Sequence, residues 1–193
     1  SLIIISAIKT YGRRIDDMII KEPVAMKIAF GENPKRVYDE QHKSPVTRMA
    51  IAALLRETLF EAQKYMEDLE ASKEDPDEKP DFDMKLHSML PVLKKEIPLK
   101  AHAHRADDIF TALRIAKEFN VDITLDHCTE GHLIVDELKA AGKPCLIGPT
   151  FGSRTKVELR NKSFETPKVL IDAGIKTAII TDSNVIPIQH ITM

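Results

Sequence analysis

Tryptophan is absent from the 193 residues, and aromatics of all kinds make up only 5%. With so few rings and a formal net charge of -2, the chain offers neither stacking platforms for bases nor a basic field to hold a phosphate backbone. Nucleic acid is excluded as the expected partner. Cysteine is scarce too. Cys128 and Cys145 make no disulfide framework and match no zinc-finger or redox spacing, which suits a reducing compartment and a cytoplasmic location. No run approaches the roughly 18 apolar residues of a membrane span, and "LIIISAI" lacks a signal peptide's basic start and small-residue cleavage site. No membrane segment is expected. What remains, 43% apolar and 30% charged, is enough to bury a sizeable core in one globular domain over 1–193. An opening directly on an apolar strand, without Met, is what a truncated domain would have.

The first half of the chain is irregular. "SLIIIS" reads as a strand, and "AIKTYGRRIDDMIIKE" has Ile8, Tyr11, Ile15, Met18 and Ile19 at helical spacing. "PVAMKIAFGENP" reads as a buried strand closed by a turn. A long helix is predicted from Pro45 to about Glu70, with Ser44 as its cap. Residues 71–83 form an acidic, proline-bearing stretch expected to be a flexible loop, and Pro91 should kink or end the short helix that follows. From Pro98 onward, strands alternate with helices of about 10 to 14 residues, the pattern of parallel βα units in an α/β fold.

Polar residues stand at or near the predicted C-terminal ends of these strands: Lys27, His102, His127 and Asp182. In parallel α/β folds that edge is where sites are built. His102 and His127 are 25 residues apart, one βα step, and Asp182 follows after 55, or two steps. Neutral imidazoles suit zinc and other divalent ions, and two of them with a carboxylate can hold such an ion while leaving a water position open. The metal would lower the pKa of water toward ~7, and Asp182 could take and return the proton. Lys27 could join only if modified, because an ammonium is repelled by the ion whereas a lysine carbamate presents carboxylate-like oxygens.

The segments "AMKIAFGENPKRVY", "LKAHAHRADDI", "LDHCTEGHLI", "GPT...SRTKVELRNKS" and "AIITDSNVIPI" resemble the amidohydrolase superfamily of metal-dependent hydrolases, in particular its imidazolonepropionase-like branch. The resemblance runs from about Ile8 to the end. It implies a (β/α)8 TIM barrel in which Lys27 is the fourth-strand ligand, His102 and His127 are the fifth- and sixth-strand histidines, and Asp182 is the eighth-strand aspartate. It implies one or two divalent ions, Zn2+ first, and hydrolysis of a C–N bond in a small-molecule amide, cyclic amide or peptide-like substrate. The family's first-strand His-x-His does not precede Lys27; the one such pair is His102 and His104. The chain therefore reads as the later part of a barrel that needs ~250 residues when complete, with the first strands absent.

Each residue has a plainer reading. Lys27 could reach solvent or pair with Glu32. His104 shares a strand face with His102 and could line the substrate pocket. Arg154, with Lys156 and Arg160, could hold an anionic substrate group or be solvated charge. His132, just past Thr129 as a helix cap, reads as a first-turn surface histidine. His42, His87 and His190 have no partner by spacing, and both cysteines read as small core residues. The alternative to an enzyme is a non-catalytic structural fragment of such a barrel. Its open sheet edges would promote self-association, giving a homo-oligomer. A phosphate site at "GPTFGSR" ranks behind both, because no helix clearly follows it.

Overall fold

The computed structural model describes residues 2–9, 11–152, 154–183 and 185–187. His190 lies outside them, as does part of the run after Asp182. One curled six-stranded sheet organises the chain, with its strands in sequence order. The first two strands, β1 (Ile3–Ile8) and β2 (Ile19–Ala29), are antiparallel, with Ile3 opposite Lys27 and Ile8 opposite Ile19. Then β2, β3 (Leu99–Ala103), β4 (Ile123–His127), β5 (Cys145–Ile147) and β6 (Thr177–Ile179) run parallel.

Alternation along these strands separates two faces. Met26, Ile28, Leu99, Ala101, Ala103, Ile123, Leu125, Cys145 and Ile147 are buried together in the core, the apolar runs expected of strands covered by helices. Helix α3 (Arg48–Ala71) supplies Ile51, Leu55, Leu59 and Ala62 to that core, and α5 (Ala106–Glu118) supplies Ile109, Ala112, Ile115 and Ala116. Helices α4 (Met84–Leu93), α6 (Val135–Ala141) and α7 (Thr166–Asp172) add Met89 and Val92, Leu138, and Leu170. The opposite face carries Lys27, Ala29, Lys100, His102, Thr124 and Asp126. Lys27 is in register with Lys100, and His102 with Asp126.

The βα alternation after Pro98 is as the sequence predicts, and three local expectations are corrected. The helix expected over residues 7–22 does not form among the described residues. One turn forms, α1 (Ile15–Met18), and the chain then enters an 11-residue strand. Ile8, Ile15 and Ile20 are exposed, so the helix-like spacing has no core to meet, and β-branched Ile19, Ile20 and Val24 suit the hairpin with β1. The turn after β2 instead opens a short helix, α2 (Glu32–Asp39). Gly31 at φ 81° begins it, and Pro34 sits in the first turn, where no N–H is needed. The long helix is capped by Thr47, not Ser44, because the Thr47 hydroxyl accepts the Ala50 N–H at 3.1 Å. Helix α4 continues two residues past Pro91 and then ends, with the Pro91 carbonyl accepting the Glu96 N–H. Within residues 71–83 a single 3-10 turn forms at Pro76–Glu78.

Candidate metal centre

At the C-terminal ends of β3 and β4, three imidazoles come together. His102, His104 and His127 each offer a ring nitrogen, and these atoms lie within 4.8 Å of one another. The ring centroids are 4.4 Å apart for His102 and His127, 4.7 Å for His104 and His127, and 4.8 Å for His102 and His104. His102 and His104 meet because residues two apart on a strand share a face. His127 joins them by different means. Alternation puts Asp126 on the face of His102, but His127 and Cys128 have left-handed backbone, φ 70° and 45°, which breaks the alternation at the strand end. Asp182 is also left-handed, at φ 49°. Such conformations in non-glycine residues cost energy and concentrate at functional sites.

Hydrogen bonds orient the rings. His127 Nδ1 donates to the Gly148 carbonyl at 2.6 Å, so its Nε2 carries the lone pair, and that nitrogen is buried with no partner. His104 Nδ1 lies 2.7 Å from the Thr129 hydroxyl, and its Nε2 is 3.9 Å from Glu158 Oε1. His102 Nε2 is 3.1 Å from the Asn33 carboxamide nitrogen, and the Lys156 ammonium donates to the Asn33 oxygen.

Burial, reinforced by His127, His104, Lys27 and Lys156, pushes the His102 pKa far below its ordinary value. Burial also takes His104 down to about 3, helped by His127, Lys156 and Lys162. His127 is lowered by burial too, against the raising effects of its bond to Gly148 and the Asp182 and Asp126 carboxylates. All three rings are therefore neutral at pH 7. Neutral imidazoles converging around an unpartnered, buried Nε2 fit a divalent ion.

The remaining sequence-predicted residues stand around this cluster. Lys27 lies on the face of His102, but its ammonium pairs with Asp126 at 3.2 Å and not with Glu32. Lys100 holds the other Asp126 oxygen at 2.6 Å, so a fully buried carboxylate is locked between two lysines. Asp182 is exposed and close enough to act electrostatically on His127. Arg154 is exposed and donates to the Lys162 carbonyl at 2.7 Å; the loop cations acting on the imidazoles are Lys156 and Lys162. Thr129 does not cap a helix but bonds His104, and His132 is half-buried with Nδ1 2.9 Å from the Thr166 hydroxyl. Cys128 and Cys145 are buried free thiols.

Sequence reasoning missed Asn33, Asp126 and Glu158, and gave Thr129 a different role. Asp126 had a signal, lying one residue before a singled-out histidine. Asn33 and Glu158 had none, because each meets its partners across the chain. Glu158 is fully buried. Its Oε2 accepts the Glu32 N–H at 2.8 Å, its own N–H donates to Glu32 Oε1 at 3.1 Å, and Arg48, paired with Asp108 at 3.0 Å, stands 4.0 Å away. These bonds tie the loop after β5 to the starts of α2, α3 and α5.

A parallel sheet curled into half a barrel, its polar cluster at the C-terminal rim and its helices outside, defines the class: the barrel type on which many hydrolases are built. Comparison with known proteins finds a likeness to two amidohydrolases. A crystal structure of an amidohydrolase from Thermotoga maritima MSB8 superimposes with a TM-score of 0.91 and 40% identity, covering 94% of this chain and 48% of that one. The curated amidohydrolase tasK of Hapsidospora irregularis is 24% identical over 181 residues, 87% of this chain. This chain thus spans about half of the solved relative and 18% of the curated one. No family model matches. Among the described residues no helix is long and apolar enough to cross a membrane.

Proposed function

We propose that this chain carries the metal centre of an imidazolonepropionase-like amidohydrolase that cleaves a C–N bond in a small amide, cyclic amide or peptide-like substrate. The observation that carries this reading is the buried Nε2 of His127, unpartnered and facing two more neutral imidazoles. His102 and His127 hold the ion, His104 stands as a third ligand or pocket wall, and Lys27 joins only as its carbamate. In that form Lys27 would repel Asp126, leaving Lys100 to hold both. A divalent ion, Zn2+ first among candidates, supplies a Lewis-acidic charge that makes water a nucleophile near neutral pH. Asp182, exposed beside His127, takes and returns the proton, while the loop cations, Arg154 with Lys156 and Lys162, attract an anionic substrate group. Residues 1–193 act as one barrel domain with 71–83 as its flexible loop, and the buried free thiols suit the cytoplasm.

Bound Zn2+ after dialysis tests the centre. The unaltered chain is expected to retain it, with His102→Ala and His127→Ala each losing most of it and His104→Ala losing less. Equal metal in all four removes the centre. A second reading, a non-catalytic structural fragment that self-associates, is favoured by one observation: the sheet is open, with β1 and β6 each paired on one side only among the described residues.

A further inference from the structure

The clamp on His102 is made of groups with fixed hydrogen-bonding roles. An ammonium can only donate, so the Lys156 contact assigns the Asn33 carbonyl oxygen to Lys156 and turns the Asn33 NH2 toward His102. An NH2 can only donate in turn, so His102 Nε2, 3.1 Å away, must accept. The ring proton is thereby left on Nδ1. His127 reaches the same state by another route, through its Nδ1–H bond to the Gly148 carbonyl.

The residues that enforce this come from distant parts of the chain. Asn33 lies in the first turn of α2, and Lys156 in the loop after β5, which the paired Glu32 and Glu158 bonds fasten to the same turn. The lysine side chain is about a quarter exposed, and the carboxamide sits between it and the buried imidazole.

We propose that Asn33 is a positioning residue of the tri-histidine centre: clamped by Lys156, its carboxamide N–H keeps His102 Nε2 an acceptor, and gives up that lone pair when an ion arrives. The tautomer half stands on the hydrogen bonds alone; the ion half rests on the metal-centre reading above. An ion must displace one hydrogen bond at His102 and none at His127 Nε2, so the clamp tunes affinity as well as orientation.

The test is nitrogen NMR of the chain labelled with 15N-histidine, freed of metal by chelator, at a pH where the rings are neutral. His102 is assigned by its disappearance in His102→Gln. The unaltered chain is expected to have an unprotonated Nε2. Asn33→Asp, which replaces the donor by an acceptor, should reverse this and protonate Nε2. Lys156→Met, which leaves Asn33 in place but unclamped, should give a mixture of both tautomers. An Nε2–H in the unaltered chain, or the same tautomer in all three proteins, overturns the proposal. Should Asn33→Asp fail to fold, as read from its amide spectrum, Lys156→Met decides alone. In a Zn2+ competition titration, Asn33→Ala should bind about five-fold more tightly because no hydrogen bond is surrendered. Unchanged affinity overturns the ion half, whereas failure of the unaltered chain to bind Zn2+ overturns the metal centre and leaves the tautomer result to stand or fall by itself.

Discussion

Burial and neighbouring charges hold the pKa of His104 at about 3 and that of His102 lower still. In the unfolded chain both return to ~6.5. Between those values the unfolded chain binds protons that the folded one refuses, so their contribution to stability is complete above pH ~6.5 and is lost as pH falls toward 3. Glu158 and Asp108, whose carboxyl pKa values are raised by burial, act in the opposite sense because protonation favours their folded state. The expected outcome in urea titrations is a midpoint that declines from pH 7 to pH 4.5, with a shallower decline in His104→Gln. Equal slopes would mean that His104 is not held neutral. Gly148 offers a second residue-level prediction. Its φ is 132°, and an added Cβ would stand 2.1 Å from the Ile180 carbonyl oxygen. Gly148→Ala should cost about 3 kcal/mol in urea denaturation. It should also lower bound metal, because the displaced Gly148 carbonyl orients His127.

Elements meet at the site through a strap, the loop that follows β5. Glu158 at its centre accepts from the start of α2 and stands near Arg48, which the α5 carboxylate Asp108 holds from the other side. Removing the Glu158 carboxylate leaves the Glu32 N–H without its acceptor and takes the nearby negative charge from Arg48, 4.0 Å away. Glu158→Ala is therefore expected to destabilise the fold by about 3 kcal/mol, and Glu158→Gln by less, measured as urea midpoints. An equal loss in both would place the effect in the charge and not in packing or in the acceptor that Gln retains. Sequence periodicity located most of these elements. Regular strand and helix alternation after Pro98 was legible because each unit buries one face. Residues 8–22 were not, because a short amphipathic spacing fits a helix and an edge hairpin alike until it is known where the core lies.

At the scale of the whole molecule the curled sheet is open among the described residues. Its β1 edge displays Ile3 and Ile4 largely exposed, and unpaired edges of this kind template further strand pairing. Concentration-dependent self-association is expected by size-exclusion chromatography, and Ile4→Lys on the β1 edge should weaken it. An unchanged elution profile would move the contact to β6 or to the concave face. The parallel run of the strands also explains why His102 and His127 meet, as their spacing predicts. Both stand on adjacent strands of one parallel sheet, and parallel strands deliver their C-terminal ends to one rim.

The sequence by itself determined the parallel α/β order, the buried strand cores and the pairing of His102 with His127, because these depend on local period and on step length along the chain. Only the tertiary structure decided that His104 completes the cluster, that Asp126 locks Lys27 and Lys100, and that Asn33, Lys156 and Glu158 orient and fasten the rim. Those contacts join residues up to 126 apart. They depend on how far the sheet curls and where a loop folds back, and no residue spacing encodes either.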